Sequence, residues 1–368
     1  MYKFPRHAFL AALLTLSFSA CKSNNGDEQQ PAVILPVGMA FSTGLPVVVI
    51  NTPDSCAITS KTEWVKNADA VIHYPDGHVQ LLSMTSIRGR GNVTWFHFPK
   101  KSYSLKFDKK ESIAGMNADK RWVLLANWGD RTLLRNDVAF EIARNTSLEW
   151  TPRGTFVELV LNGVYSGSYY LCEKIKIGKG RIDITEMMPD DDDEAVITGG
   201  YLMEIDSHED EDNRFRSEVY GFPYRFRSPD EETLSAKMFD YMRQYVNQLE
   251  RTLANDKELQ STRCREFVDF QSFADWWIVN ELCHDIDVCK LRSIYVYKDR
   301  GCAMKAGPVW DFDFATFRPE TEIFVAQHFP YIQRLLLVPE FRSFLSLQRR
   351  SCACDIARIS ECRERWSR

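Results

Sequence analysis

Asn280-Glu281-Leu282-Cys283-His284-Asp285-Ile286-Asp287, then Ser293-Ile294-Tyr295-Val296-Tyr297-Lys298-Asp299-Arg300-Gly301, then Trp310-Asp311-Phe312-Asp313 is the stretch on which the reading of this chain turns. The middle segment reads as a strand and a turn, which folds the two acidic clusters back toward one another. Two carboxylates brought together in this way are what metal-dependent phosphoryl transfer uses, one to place a hydroxyl and one to hold the cation. The same residues have an ordinary reading, with Asp287 a loop carboxylate satisfied by backbone N–H groups and Asp311 an Asx turn after a strand. Upstream lies Arg88-Gly89-Arg90-Gly91-Asn92, a Gly- and Arg-rich segment of the kind that cradles phosphates. In isolation it reads first as a tight surface turn with solvated arginines.

Composition places the chain among globular proteins. It has 368 residues, 44% hydrophobic and 26% charged, with a formal net charge of −5. That balance argues against nucleic acid as the main partner, because phosphate neutralisation needs clustered Lys and Arg. The N-terminus reads as a leader: Lys3, Arg6 and His7 precede an apolar run from Ala8 to Phe18, and Ser19-Ala20-Cys21 follows. Residues 1–20 are expected to be a lipoprotein signal peptide, Cys21 to carry the lipid, and 21–44 to form a tether. The protein is then expected in the cell envelope, extracytoplasmic and membrane-anchored through lipid alone. Of the ten Cys, nine follow Cys21, an odd number that leaves at least one thiol without an internal partner. The basic, Cys-containing segment 346–368 reads as a free tail with an unusual or truncated end.

Between these ends the pattern is strands first and helices later. Val47-Val48-Val49-Ile50, Ala70-Val71-Ile72-His73-Tyr74, Ser102-Tyr103-Ser104-Leu105-Lys106-Phe107 and Trp122-Val123-Leu124-Leu125-Ala126 read as strands. Residues 156–161 and 167–171 flank Asn162-Gly163, the strongest hairpin signal present. A helix is expected over 133–143, a strand over 201–205, and long helices over 234–253 and 267–283. The acidic run Asp190-Asp191-Asp192-Asp193-Glu194 reads as a solvated loop, since consecutive acids repel one another. The seven His show no zinc-ligand spacing, and no Gly-x-Ser-x-Gly elbow is present.

Several separated segments, taken together, resemble the CotH kinase family, spore-coat protein H and its relatives. They are Arg88 to Trp95 with Pro99 to Phe107, Trp122 to Asn127 leading into Leu134-Arg135-Asn136, Cys172-Glu173-Lys174-Ile175-Lys176, Gly199 to Asp206, and Gly307 to Asp313. The resemblance spans roughly residues 45–345. It implies an α+β, atypical protein-kinase-like, two-lobed fold, β-rich to about residue 200 and mainly helical after it. It further implies transfer of phosphate from ATP to Ser or Thr of a protein substrate, with Mg or Mn as the metal.

Carried over residue by residue, Asp287 would accept or orient the substrate hydroxyl, Asp311 would hold magnesium, and Asp313 is a second metal candidate. Arg88, Gly89, Arg90, Gly91, Asn92, Lys101, Lys106, Glu173 and Lys174 form the nucleotide-binding set. By kinase logic one Lys meets the α- and β-phosphates and is held by a Glu, for which Glu141 and Glu173 are both candidates. Two departures stand out: Asp285 replaces an Asn usual in the family, and Thr316-Phe317 stand where Phe-Gly is usual. An exported address, where ATP is scarce, keeps a second reading open, a non-catalytic surface adhesion or binding module on the same fold.

Overall fold

The computed structural model describes residues 43–208, 213–261, 263–314, 316–317, 324 and 328–344. The leader, Cys21, nearly all of the 21–44 tether and the 346–368 tail lie outside them. No described helix is long and apolar enough to cross a membrane.

Eight strands build the first half: β1 (Val47–Asn51), β2 (Val65–His73), β3 (Val79–Leu81), β4 (Thr85–Arg90), β5 (Ser102–Glu111), β6 (Asp119–Leu125), β7 (Gly154–Leu161) and β8 (Val164–Glu173). They are ordered β1-β7-β8-β6-β5-β4-β2-β3, and an added β1–β2 pairing closes them into a barrel-like ring. β1 and β7 run parallel, while the other neighbours are antiparallel. Asn162 and Gly163 both take positive φ between β7 and β8, as a two-residue hairpin turn demands. Period-2 alternation sends Ile87, Leu105, Phe107, Trp122, Leu124 and Leu171 into the ring's interior.

Trp122–Leu124 of β6 and Tyr169–Glu173 of β8 are buried on both faces. Trp122 and Leu124 point inward, whereas Val123, Tyr170 and Cys172 join a second core shared with the rest of the chain. This is why 122–126 reads as a continuous apolar run rather than an alternating one. Helix α1 (Val93–His97) follows β4, and α2 (Arg135–Arg144) follows β6 and lies in that second core through Ala139, Phe140 and Ala143.

The second half departs from the mainly helical expectation. Its helices pack with a five-stranded antiparallel sheet of β9 (Tyr201–Ile205), β10 (Arg214–Arg216), β11 (Pro223–Ser228), β12 (Ile294–Lys298) and β13 (Lys305–Ala306), ordered β10-β11-β9-β12-β13. Arginines hide β10 and β11 in the sequence: Tyr224 and Phe226 alternate with Arg225 and Arg227, whose charges are met by Glu204 on the neighbouring β9. The helices are α3 (Ala236–Ala254), α4 (Asp256–Leu259), α5 (Cys264–Phe267), α6 (Phe270–Leu282) and α7 (Pro330–Leu335). Ser235 caps α3 by accepting the Met238 N–H at 3.2 Å, and Met238, Met242, Val246, Leu249 and Leu253 form its buried stripe. Asp269 caps α6 through the Ser272 N–H at 2.7 Å. That helix is apolar nearly all round because it is buried.

A second correction concerns Arg88-Gly89-Arg90. It is neither a loop nor a surface turn but the end of β4, with Arg88, Gly89 and Arg90 registered against Ser104, Tyr103 and Ser102 of β5. The strand's alternation places Arg88 and Arg90 on one face and Gly89 on the other. The Trp95 indole occupies the place a Cβ on Gly89 would take. Gly89→Ala is therefore expected to displace α1 and cost about 1–3 kcal/mol of stability, seen as a lower urea midpoint with altered tryptophan fluorescence. An unchanged midpoint and spectrum would show that the indole does not pack there in solution.

Candidate functional site

The acidic side of the site is held by loops, not by strands. Asp287 precedes a 3-10 turn at Val288–Lys290, and its carbonyl accepts the N–H groups of Lys290 at 2.9 Å and Arg292 at 3.2 Å. Its carboxylate Oδ1 is buried without a hydrogen-bond partner, and the nearest cations, Arg292 Nη1 and Lys290 Nζ, stand off at 3.7 and 3.8 Å. Asp287 is thus not the satisfied loop carboxylate of the ordinary reading. Asp285 takes that part instead: its Oδ1 accepts the Asp287 N–H at 3.0 Å. Burial first, and the Asp287 charge second, push the Asp285 pKa well above the usual carboxylate range. The departure at this position thus sets beside Asp287 a carboxyl whose charged form burial disfavours.

Asp311 lies beyond β13, adopts φ +75°, and accepts the Ser293 hydroxyl at 3.1 Å. Protein surrounds it closely, yet its side chain is open to solvent, as at the floor of a cleft. Burial and the Asp287 charge raise its pKa, and Arg90 opposes them. Asp313 is raised in turn, by burial and by Asp311. His284, Leu291 and Ser293 also have positive φ. These three flank the acids and Asp311 itself makes a fourth, and strain of this kind clusters at functional sites.

Facing the acids is a group of cations. The Lys174 amine, just past β8, is pushed down to about 7 by burial and by the charges of Arg121, Arg90, Arg88 and Arg227. The Arg88 and Arg121 guanidinium groups both lie over the Trp64 ring, 4.5 and 5.2 Å from its centroid. Arg90 stacks 5.1 Å from the Trp310 ring, and its Nη1 is buried without a hydrogen-bond partner. It is the link between the poles, influencing both Lys174 and Asp311. Below them Glu204 takes Arg225 at 3.0 Å together with Arg227; burial works to raise its pKa, and the two arginines outweigh it.

Arg90 thus couples the group of Lys174 and Arg88 to the acidic group of Asp287, Asp311 and Asp313. Gly91, at φ +90°, turns the chain from β4 into α1, where Asn92 accepts the Lys61 amine at 2.6 Å. Lys101 donates to the Trp95 carbonyl at 2.6 Å. Lys106 is exposed, in register with Ser86 and Arg121. Neither proposed glutamate holds a nucleotide lysine here. Glu141 pairs on the surface with Arg144, and the fully buried Glu173 takes Arg181 at 2.7 Å and Arg153 at 3.2 Å. The acidic run lies in a largely exposed loop, as expected, with Asp191 paired to Arg300 at 2.6 Å and Asp192 to Lys237 at 2.9 Å. Sequence reasoning missed Arg121, Arg227 and Ser293. The alternation of Tyr224-Arg225-Phe226-Arg227 was the available signal for one of them.

Among the described residues no group of three or more His, Cys, Asp or Glu forms a ready cation cage. The donor set still fits magnesium or manganese. It offers hard carboxylate oxygens, one of them orphaned at Asp287, and Mg2+ is ordinarily held by one or two carboxylates with the remaining positions left to water and substrate phosphates.

A family model described as CotH kinase protein matches residues 87–346, most of the chain. No curated protein matches it. The matched region begins within β4 and includes every residue of the cleft except Trp64.

Glu173→Gln separates the two roles considered for that residue. Leaving Arg181 buried beside a neutral partner is expected to cost about 3–5 kcal/mol, read from urea denaturation, with nucleotide affinity unchanged. Lost nucleotide affinity at full stability would make Glu173 a lysine partner after all.

Proposed function

The chain belongs to the CotH kinase family, and we propose that it is an atypical protein kinase that transfers the γ-phosphate of ATP to Ser or Thr of envelope or surface proteins, with its barrel and its helix-and-sheet half acting as two lobes. The observation that carries this reading is the separation of charge in the site: the carboxylates of Asp287, Asp311 and Asp313 at one pole, the crowded amine of Lys174 at the other, and Arg90 coupled to both. Such a dipole complements a polyphosphate with its divalent cation, which needs anion recognition and cation recognition side by side. Asp311, with Asp313, would hold the metal, whose chemistry is to neutralise charge on the transferring phosphoryl group. Lys174, Arg88 and Arg90 meet the phosphate oxygens. Asp287, whose Oδ1 has no hydrogen-bond partner, orients the acceptor hydroxyl and takes its proton. Asp285 holds the Asp287 backbone in place.

The envelope address is part of the same proposal and rests on the sequence alone: Cys21 carries the lipid, and the catalytic part stands outside the cytoplasm on its tether. A second reading, a non-catalytic binding module, draws on that address.

Mutation distinguishes the two. Asp287→Asn is expected to keep nucleotide binding and lower phosphate transfer by roughly 100-fold or more, whereas Asp311→Ala should remove the metal dependence of binding. Radiolabelled transfer from ATP to protein acceptors, beside calorimetry of ATP with magnesium or manganese, reads both. A wild-type protein that neither transfers phosphate nor binds nucleotide with either metal would leave the binding module.

The Lys174 shift supplies an independent check. With its amine held at about 7 in the folded protein against an ordinary 10.5, the folded state carries fewer protons than the unfolded one between those values, so this group makes stability rise with pH across that window. Bound phosphates reverse the shift. ATP binding at pH 8 should then take up a proton, approaching one per nucleotide, and Lys174→Met should abolish the uptake. Calorimetry in buffers of different ionisation enthalpy measures this. Uptake unchanged in Lys174→Met would remove Lys174 from the phosphate site.

A further inference from the structure

Asp311 adopts a backbone conformation that a residue with a side chain seldom takes, and its position therefore has to be imposed by its surroundings. Those surroundings belong to α2. The Phe312 N–H donates to Asn136 Oδ1 at 2.9 Å. One turn further along the helix, Phe140 packs against both flanks of Asp311: Trp310 stacks on it with centroids 5.7 Å apart, and Phe312 meets it edge-on at 6.2 Å.

Asn136 is almost fully buried, and its amide has one workable orientation. Its Nδ2 donates to Asn127 Oδ1 at 3.0 Å, while Asn127 donates its own Nδ2 to the Leu133 carbonyl at 2.9 Å. This second bond closes the loop between β6 and α2, and the same loop lies against the acidic segment, where a Cβ on Gly129 would come within 2.9 Å of Phe314 and 3.3 Å of the Asp313 carbonyl. Asn136 touches none of the groups assigned to metal, nucleotide or acceptor.

We propose that Asn136, oriented by Asn127, is a positioning residue that fixes the Asp311–Asp313 segment in its cation-binding shape, so that the end of β6 and the start of α2 govern metal affinity from outside the cleft. This rests on the reading of Asp311 as a metal ligand. Partners that orient a ligand commonly change metal affinity by about 10–100-fold when removed.

The test uses Mn2+ as the probe, with free Mn2+ followed by electron paramagnetic resonance, and ADP affinity measured separately in EDTA. Asn136→Ala is expected to weaken Mn2+ binding about tenfold or more and to leave metal-free ADP affinity unchanged. Asn136→Asp, which keeps the acceptor for the Phe312 N–H, should retain more Mn2+ affinity than the alanine variant. Asn127→Gly tests the relay without adding backbone strain, because glycine accepts the φ of +48° found there. It should weaken Mn2+ binding in the same direction, and it carries the test if Asn136→Ala does not fold. Unchanged Mn2+ affinity in folded Asn136→Ala and Asn127→Gly proteins overturns the inference while the metal reading stands. A wild-type protein that binds no Mn2+, with or without ADP, overturns both.

Discussion

The contact between the Arg90 guanidinium and the Trp310 ring joins the barrel to the acidic loop, and the rest of the cleft depends on it. Arg90 ends a barrel strand, while Trp310 precedes Asp311 and rests on Phe140 of α2. A cation stacked on an aromatic face keeps its charge without needing a carboxylate partner. Arg90 can therefore sit between Lys174 and Asp311 without being consumed by an ion pair.

Holding like charges together is costly, and the protein distributes that cost over packing rather than over opposite charges. Arg88 and Arg121 are steadied by Trp64, and burial next to Asp287 disfavours the charged form of Asp285. At the acidic pole, positive φ at His284, Leu291, Ser293 and Asp311 is maintained by buried neighbours such as Val288 and Phe312. True ion pairing is used one layer back. Glu204 with Arg225 and Arg227, and Glu173 with Arg181 and Arg153, anchor the strands from which the cleft is built. Buried pairs of this kind add little net stability but are expensive to break, which suits them to fixing geometry.

The sequence by itself determined the elements whose signals are local. Period-2 alternation marked β5, Asn162-Gly163 marked the β7–β8 hairpin, and apolar spacing marked α2, α3 and α6. It also singled out the residues proposed to carry the chemistry, because Asp287, Asp311, Arg90 and Lys174 stand in motifs that resemble the family's. Only the tertiary structure decided their partners. Glu173 looked like a lysine's counter-ion because it adjoins Lys174, but its buried carboxylate is taken by Arg181 and Arg153. Arg88-Gly89-Arg90 looked like a loop because glycine punctuates loops, whereas here it makes room for the Trp95 indole from the next element. β10 and β11 were hidden by arginines whose burial makes sense only beside Glu204 on β9. Long-range pairing, the sign of the charge across a cleft, and the hydrogen bond from the Phe312 N–H to Asn136 join residues far apart in the chain, and no local pattern records them.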